Sequence, residues 1–297
     1  MIMLLCLFSN TVLIAQKDSR SFIVYSKSVY EAKALMKIGQ YDSSHYLYQV
    51  AFKHSSNPFI HDLLDAALVS RKANQPHEVA KRYFEKAVAA GLSKVRLKKN
   101  LRDRALYPAV LRREILEGYD AINARYVEEV MVSEKATVAR IIKRDRRSRN
   151  FWGLLTSFDK KDLINYKEIT KLCEAGAWPS PHTMGQFKKK NKYDVTGRIT
   201  LVFLHFNPQQ IAKLQPYLSE ALELGLIMPD EYARIMDYTS IKLTLKQTYG
   251  TYVKTAGKRP SFLTILNPEQ VNERRAEIGL KPIEQYAEDR GVSWESY

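Results

Sequence analysis

The sequence predicts a mainly α-helical protein, in which N-terminal helical hairpins are followed by a C-terminal helical domain. Three observations support this fold class. Apolar residues recur at spacings of three and four, which is the period of a helix with one buried face. A pattern of small and aromatic residues repeats after 36 residues. Prolines and glycines fall at the ends of the apolar stretches, where helices start and stop.

The first 16 residues look like a secretory signal peptide. They carry no charged residue, and their apolar run is too short to span a bilayer as a helix. Ala15 before Gln16 is the expected cleavage point, and the alternative is a buried first helix. We therefore expect an exported protein of the periplasm or cell envelope.

The chain of 297 residues is long enough for two domains, which we place at residues 17–118 and 119–297.

Residues 22–90 contain a weak internal repeat. The first copy has small, aromatic and small residues at Ser44, Tyr48 and Ala51. The second copy repeats them 36 residues later at Ala80, Phe84 and Ala87. Small residues let two helices lie close together, and the aromatic residue fills the space between them. The pattern resembles tetratricopeptide repeats, whose period is about 34 residues. We therefore expect a protein or peptide partner at these helical repeats.

The net charge of +15 is unevenly distributed along the chain. Residues 91–150 hold sixteen Lys and Arg against eight Asp and Glu. Such an excess attracts nucleic acid, anionic lipid or an acidic partner. No nucleic acid is expected, because the chain lacks an aromatic-interleaved basic motif and carries an export signal. A solvated basic helix face is the preferred interpretation, and a weak contact with an anionic membrane surface stays open.

The C-terminal half predicts a series of helices. A long helix runs from about Asp120 to Trp152, with a buried stripe at Val127, Val130, Met131, Val138, Ile141 and Ile142. The apolar run over residues 196–206 fits a buried helix or a buried strand, and we prefer a helix. Asn-Pro pairs at Asn57, Asn207 and Asn267 predict helix starts, since Asn caps a helix and Pro suits its first position. The helix that opens at Pro229 should turn Tyr232, Ile235, Met236 and Leu243 inward.

Asp145 and Arg149 lie on the buried stripe of the long helix. At 100° per residue, both fall within about 60° of the direction that Val138 and Ile141 share. Charges on such a face must be paired or must line a cleft, because burying one alone is costly. Two interpretations stay open. The residues form either a structural ion pair between helices, or a cleft-facing carboxylate with its orienting arginine.

His205 follows the apolar residues Val202, Phe203 and Leu204. It is either a hydrogen-bonded core histidine or a general acid or base near neutral pH. The chain lacks grouped His or Cys ligands, a phosphate-binding Gly-rich loop and the hydrolase sequence motifs. We therefore expect no cofactor and no metal site. Cys173 is the only cysteine after the leader, so no internal disulfide is expected.

Several short groups of residues follow one another in a recognisable order between about Arg140 and Tyr286. They are Asp145 with Arg149, Gly176-Ala177-Trp178-Pro179 with Gly185, Leu204-His205, Tyr232-Ala233 with Asp237, Gln247-Thr248-Tyr249-Gly250-Thr251, and Asn272-Glu273-Arg274-Arg275 with Gly279-Leu280. Through them, this half of the chain resembles the bacterial family called domain of unknown function 6624. It departs from the family pattern at Ala177, Tyr238 and Tyr252.

This resemblance supports Asp145, Arg149 and His205 as site residues. It adds five residues as binding candidates, namely Trp178, Asp237, Gln247, Tyr249 and Arg274. The family brings no established activity with it. Asp145 and His205 therefore stay candidates for catalysis on their own chemistry.

Two functions follow from these observations. The first is a binding or scaffold protein of the cell envelope, in which the helical repeats hold the partner. The alternative is an enzyme, hydrolytic in type, whose pocket gathers Asp145, Arg149 and His205 with Gln247, Tyr249 and Arg274. The enzyme hypothesis requires Asp145 and His205 to lie within hydrogen-bond reach, directly or through one water.

Overall fold

The computed structural model describes residues 19–129, 132–148, 158–180, 195–254 and 260–294. Within these ranges the protein is mainly helical and has one two-stranded sheet, so the predicted fold class is confirmed. The predicted signal peptide, residues 1–16, lies outside the described residues. Among the described residues, no helix combines the length and the apolar character that a membrane span requires.

Two helical hairpins form the N-terminal part. Their helices are α1 (Ser19–Lys37), α2 (Tyr41–Lys53), α3 (Ile60–Lys72) and α4 (His77–Ala89). All six small and aromatic residues of the internal repeat are buried, as their spacing predicts. Each hairpin turn contains a residue with positive φ, Gly39 in the first and Asn74 in the second. Both adopt the left-handed conformation that commonly ends a helix.

Three shorter helices follow, α5 (Lys94–Asn100), α6 (Ala109–Glu117) and α7 (Tyr119–Glu129). Helix α7 packs back against α4, and the Tyr126 ring lies where a Cβ on Gly91 would be. The predicted stripe of the long helix is wrong at Val127, which is 55% exposed because α7 buries a different face.

The second part of that stripe is confirmed at Val138 and Ile141, and Ile142 is partly buried. Helix α8 (Val132–Ser148) buries Val138 and Ile141 completely. Val130, Met131 and Trp152 lie outside the described residues. Helix α8 packs against the helix that follows it and against the helix that contains the apolar run at residues 196–206.

Four helices continue the C-terminal half, α9 (Phe158–Glu174), α10 (Val195–Phe203), α11 (Pro208–Glu223) and α12 (Pro229–Thr244). The apolar run is therefore helical up to Phe203, as preferred from the sequence. The inward positions predicted for α12 are confirmed at Tyr232 and Ile235. The prediction for Leu243 is wrong, since this side chain is 65% exposed at the end of α12, where Lys242 and Thr244 are exposed as well.

The three Asn-Pro pairs do not behave alike. The Asn207 side chain accepts a hydrogen bond from the Gln210 amide and caps α11 as predicted. Helix α3 instead begins at Ile60, three residues after Asn57. Asn267 adopts a left-handed φ of 42° and makes no side-chain cap before the 3₁₀ turn Pro268–Gln270. An Asn-Pro pair caps a helix only where the Asn backbone is extended.

The chain ends with two short strands and two short helices. Strands β1 (Val253–Lys254) and β2 (Ser261–Phe262) pair antiparallel. Helices α13 (Val271–Glu277) and α14 (Ile283–Arg290) follow the 3₁₀ turn. Strands of two residues are too short to give a periodic signal, so the sequence did not predict them.

Helix α1 joins the hairpins to the C-terminal half. The Phe22 ring carbons lie 2.8 Å from the position that a Cβ on Gly225 would take. In the same way, Ser26 lies 3.1 Å from a Cβ position on Gly279. One apolar core extends from Phe22 through the hairpins to Ile235 in α12. The helices that position the site described below therefore share this core.

Candidate functional site

Asp145 and His205 form a hydrogen-bonded pair, although 60 residues separate them in the chain. The Nδ1 atom of His205 lies 2.7 Å from Asp145 Oδ1. Asp145 is 7% exposed and belongs to the face of α8 that buries Val138 and Ile141. The imidazole is 28% exposed, so solvent reaches the site from the His205 side. The geometry therefore meets the distance requirement that the enzyme hypothesis sets.

The turn between α10 and α11 positions His205. Its backbone amide donates to the Val202 carbonyl at 3.0 Å. Lys242 on α12 donates from Nζ to the carbonyls of Leu204 and Phe206, at 3.3 and 3.2 Å. One ammonium group thus holds the backbone on both sides of His205.

Trp178 supports the same turn from the core. Its ring stacks on Phe203 with the centroids 5.6 Å apart, and Phe203 meets Phe206 edge to face at 5.7 Å. Trp178 is buried, so its indole packs behind the turn. The binding role predicted for Trp178 stays a prediction.

Asp162 on α9 is the third ionisable residue of the site. One carboxylate oxygen of Asp145, one of Asp162 and one ring nitrogen of His205 all lie within 4.8 Å of one another. Two carboxylates and an imidazole are a donor set that divalent transition cations accept. This geometry is at odds with the expectation that no metal site exists. No sequence motif marks the cluster, because its three residues are far apart in the chain.

A polar network joins α8 to α9 next to the site. Arg144 donates to Asn165 Oδ1 at 2.8 Å and to the Glu168 carboxylate at 3.1 Å. Asn165 is fully buried, and its Nδ2 has no hydrogen-bond acceptor in the described part of the chain. Asn165 follows Asp162 by three residues, so both lie on the face of α9 that turns to α8. The network sets the spacing between the two helices that carry the aspartates.

Arg149 lies outside the described residues, so its predicted pairing with Asp145 stays a prediction.

Cys173 is buried in α9, and burial raises the pKa of its thiol to about 12. A thiol in this state is not a nucleophile near neutral pH. The candidate chemistry therefore rests on the carboxylates and the imidazole.

Comparisons with protein-family models, curated proteins and solved structures gave no match to this chain. The resemblance to domain of unknown function 6624 accordingly stays a prediction.

Asp237 is fully buried in α12 and organises the loop that follows this helix. Its Oδ1 accepts hydrogen bonds from the backbone amides of Thr248 and Tyr249, at 2.6 and 2.7 Å. Its Oδ2 accepts from the amide and the hydroxyl of Thr251, both at 2.8 Å. Burial raises the pKa of the Asp237 carboxyl, and these hydrogen bonds, which favour the ionised form, offset part of the rise. Both oxygens are thus engaged inside the protein.

Gln247 holds the same loop through its side-chain amide. Its Oε1 accepts from the Tyr252 amide at 2.8 Å, and its Nε2 donates to the carbonyls of Tyr252 and Leu263, at 3.1 and 2.7 Å. The residue is fully buried. Gln247 therefore ties the loop to the segment after β2.

Two arginines of α13 secure the loop from the other side. Arg274 donates to the carbonyls of Thr248 and Asn267, at 3.0 and 3.1 Å. Arg275 donates to the Tyr249 carbonyl at 2.5 Å and is itself buried. In the described part of the chain, no hydrogen bond joins these loop residues to Asp145 or His205. Binding roles for Gln247, Tyr249 and Arg274 stay predictions.

Asp162, Asn165 and Lys242 were not predicted as site residues from the sequence. A sequence signal existed for Asp162 and Asn165, because helical periodicity places them on the same face of α9 as the buried residues Ile169 and Cys173. No sequence signal marks Lys242, since it bonds to backbone carbonyls of a turn that is distant in the chain.

Proposed function

We propose that the protein is a hydrolytic enzyme whose active site is centred on Asp145 and His205. The 2.7 Å contact between Asp145 Oδ1 and His205 Nδ1 is the observation that carries the proposal. A carboxylate that accepts a hydrogen bond from one ring nitrogen sets the orientation and the tautomer of the imidazole. The other nitrogen, Nε2, then has a lone pair with which to accept a proton.

In the proposed reaction, Nε2 of His205 accepts a proton from a water molecule. The resulting hydroxide adds to the electrophilic atom of the substrate, and the proton passes from Nε2 to the leaving group as its bond breaks. Asp145 stays ionised and stabilises the imidazolium that exists between these two steps. The pair therefore supplies a general base and then a general acid.

The charge of the surrounding surface favours an anionic ester as the substrate. Lys143, Arg146 and Arg147 are exposed on the solvent side of α8, away from the buried face that carries Asp145, so they act on an approaching substrate at long range. Lys242 adds a positive charge at the His205 turn. Clustered positive charge raises the local concentration of an anionic substrate and the rate at which it arrives.

The test compares the wild-type chain with His205→Ala and Asp145→Asn on two chromogenic esters. Phenyl phosphates carry the anionic group that the proposal requires, and a phenyl acetate is the uncharged counterpart. We expect His205→Ala to lower kcat/KM for the phosphate by about 100- to 10,000-fold. His77→Ala, which removes an exposed histidine of α4, is the matched control and should leave the rate unchanged.

Two results would contradict the proposal. One is a wild-type chain that hydrolyses neither ester above the rate in buffer. The other is a His205→Ala variant that keeps the wild-type rate. A smaller enhancement over the rate in buffer for the phosphate than for the acetate would reject the anionic preference alone.

The binding function predicted for the helical hairpins also stays a proposal, as does export to the periplasm or envelope. Helix α1 contacts α2 on one side and α11 on the other, so the C-terminal half covers part of the hairpin surface. A partner would therefore have to dock on the remaining faces. Affinity capture from an envelope fraction with the full chain tests this, and recovery of background proteins only would count against it.

A further inference from the structure

We propose that Asp145, Asp162 and His205 bind one divalent transition-metal cation. This inference rests on the proposed function for the location of the site, and it makes a bound cation, in place of His205 Nε2, the group that activates water there. The three side chains come from α8, α9 and the turn after α10. The fold therefore assembles a donor set that no local sequence motif encodes.

The three donors lie close enough together for a single ion to draw them into its coordination sphere. Two carboxylate oxygens and one ring nitrogen lie within 4.8 Å of one another. Carboxylate oxygens and imidazole nitrogens bind Zn²⁺ at about 2.0 to 2.2 Å, which places neighbouring donors about 3 to 3.5 Å apart. The His205 and Asp145 donors, at 2.7 Å, need to separate by less than about 1 Å to admit an ion between them.

The electrostatics of the site also favour a cation. Asp145 is largely buried, and the Asp162 carboxylate lies beside it. Two neighbouring carboxylates attract a divalent cation more strongly than one carboxylate does, because their attractions add.

The elements that carry the ligands are held in place independently of the ligands. Arg144 bridges α8 to Asn165 and Glu168 on α9, which sets the distance between the two aspartates. Lys242 holds the backbone on both sides of His205. Supporting contacts of this kind orient metal ligands in known sites, and they limit the reorganisation that ion binding requires.

Asn165 gives a second, independent indication of a ligand. Its Nδ2 is a buried donor that lacks an acceptor in the described part of the chain, and it lies three residues after Asp162 on the same face of α9. The other polar atom of this side-chain amide, Oδ1, accepts a hydrogen bond from Arg144, which identifies Nδ2 as the donor that lacks an acceptor. A buried donor calls for an oxygen atom nearby, and a water on the ion or a substrate oxygen would supply one.

The donor types narrow the identity of the ion. An imidazole suits Zn²⁺ and other transition ions, whereas Mg²⁺ and Ca²⁺ prefer sites made of oxygen atoms only. Three protein ligands leave at least one position open for water. The ion would take the place of the proton on the coordinating ring nitrogen, and that proton would pass to solvent. It would also lower the pKa of a bound water, whose proton would pass to solvent as the hydroxide adds to the substrate.

The first test measures binding of the metal alone. The untagged full chain is freed of metal with a chelator and titrated with Zn²⁺ and with Mn²⁺ in a calorimeter. We expect one ion per chain, and we expect Asp162→Asn to weaken its binding by at least about tenfold. Asp120→Asn, which removes an exposed carboxylate of α7, is the matched control and should bind like the wild type. Equal affinities in wild type, Asp162→Asn and Asp120→Asn would overturn the inference.

A second measurement guards against misfolding of the variant. The ion should raise the unfolding temperature of the wild-type chain and of Asp120→Asn, and it should leave that of Asp162→Asn unchanged. Equal unfolding temperatures of the metal-free wild type and Asp162→Asn show that the variant is folded. A rise of the same size in all three chains would count against these ligands.

The binding tests also separate this inference from the proposed hydrolysis. Ester hydrolysis that requires His205 and persists at the full rate after chelation supports the hydrolytic function and overturns the metal site. One-to-one binding that is lost in Asp162→Asn, in a chain that hydrolyses no ester, supports the metal site and rejects the hydrolysis.

Discussion

Asp145 and Asp237 are both buried aspartates on helices of the C-terminal half, yet their carboxylates meet different partners. Asp237 accepts four hydrogen bonds from a single loop, three of them from backbone amides. Asp145 meets the imidazole of His205, and the carboxylate of Asp162 lies close by. The first arrangement holds a loop, and the second is able to exchange a proton or a cation.

The partner atoms, more than the burial, separate these two roles. A backbone amide does not titrate, so Asp237 has no neighbour in its loop with which to share a proton. An imidazole changes charge near neutral pH, and it binds metals when it is neutral. The family resemblance makes both aspartates candidate site residues. It cannot separate their roles, because it depends on residue types and not on the atoms that each carboxylate contacts.

The largest effect on stability is expected for Asp237→Asn. The amide nitrogen of Asn replaces one carboxylate oxygen and faces donors of the loop, so about 3 kcal/mol of unfolding free energy should be lost. Urea unfolding followed by circular dichroism measures this loss. A loss below about 1 kcal/mol would show that the loop does not depend on the carboxylate.

Gln247→Ala should follow, with a loss of about 2 kcal/mol. The substitution leaves the amide of Tyr252 and the carbonyl of Leu263 without their partner, while the Tyr252 carbonyl keeps its hydrogen bond from the Leu263 amide. Lys246→Ala, at the exposed neighbouring position, is the control and should change the unfolding free energy little. Equal losses in the two variants would remove Gln247 from the loop framework.

His205→Gln should cost less than about 1 kcal/mol. Gln can still donate to Asp145, and the imidazole is partly exposed, so little packing is lost. The proposed hydrolysis should nevertheless disappear, because an amide does not accept a proton from water near neutral pH. A loss of stability as large as that of Asp237→Asn would mean that both aspartates serve the fold.

The smallest effect is a dependence on pH. Because burial raises the pKa of the Asp237 carboxyl above that of an exposed aspartate, the folded chain binds this proton more tightly than the unfolded chain. Its contribution to stability is fully present below the unfolded pKa and is lost as the pH rises through the folded pKa. The stability difference between wild type and Asp237→Asn should therefore be larger at pH 4 than at pH 7. A difference that grows with pH would reverse the assigned direction.

The sequence predicted much of the helical framework, for identifiable reasons. The spacing of small and aromatic residues gave the hairpin contacts, and the capping residue Asn207 gave the start of α11. Predictions failed where a helix face depended on a distant neighbour, as at Val127, which α7 exposes by packing on α4. Periodicity shows that a helix has a buried side, and it does not show which element covers that side.

The candidate site could be predicted only in part. Asp145 stood out because a charge lay on an apolar face, and His205 stood out because a polar residue followed an apolar run. Their contact could not be derived, because it depends on how α8 meets the turn after α10. The same holds for Asp162, whose distance from the other two residues depends on the packing of a further helix, α9. Each residue leaves a local signal, whereas the distance between them is a property of the packed fold.

The contacts of α1 have a consequence for the synthesis of the chain. Phe22 packs at Gly225 and Ser26 packs at Gly279, so the first described helix completes its surroundings with residues from the last part of the sequence. The ribosome releases these partners late. The N-terminal hairpins therefore emerge with one apolar face uncovered, and they reach their final packing only after Gly225 and Gly279 have left the ribosome.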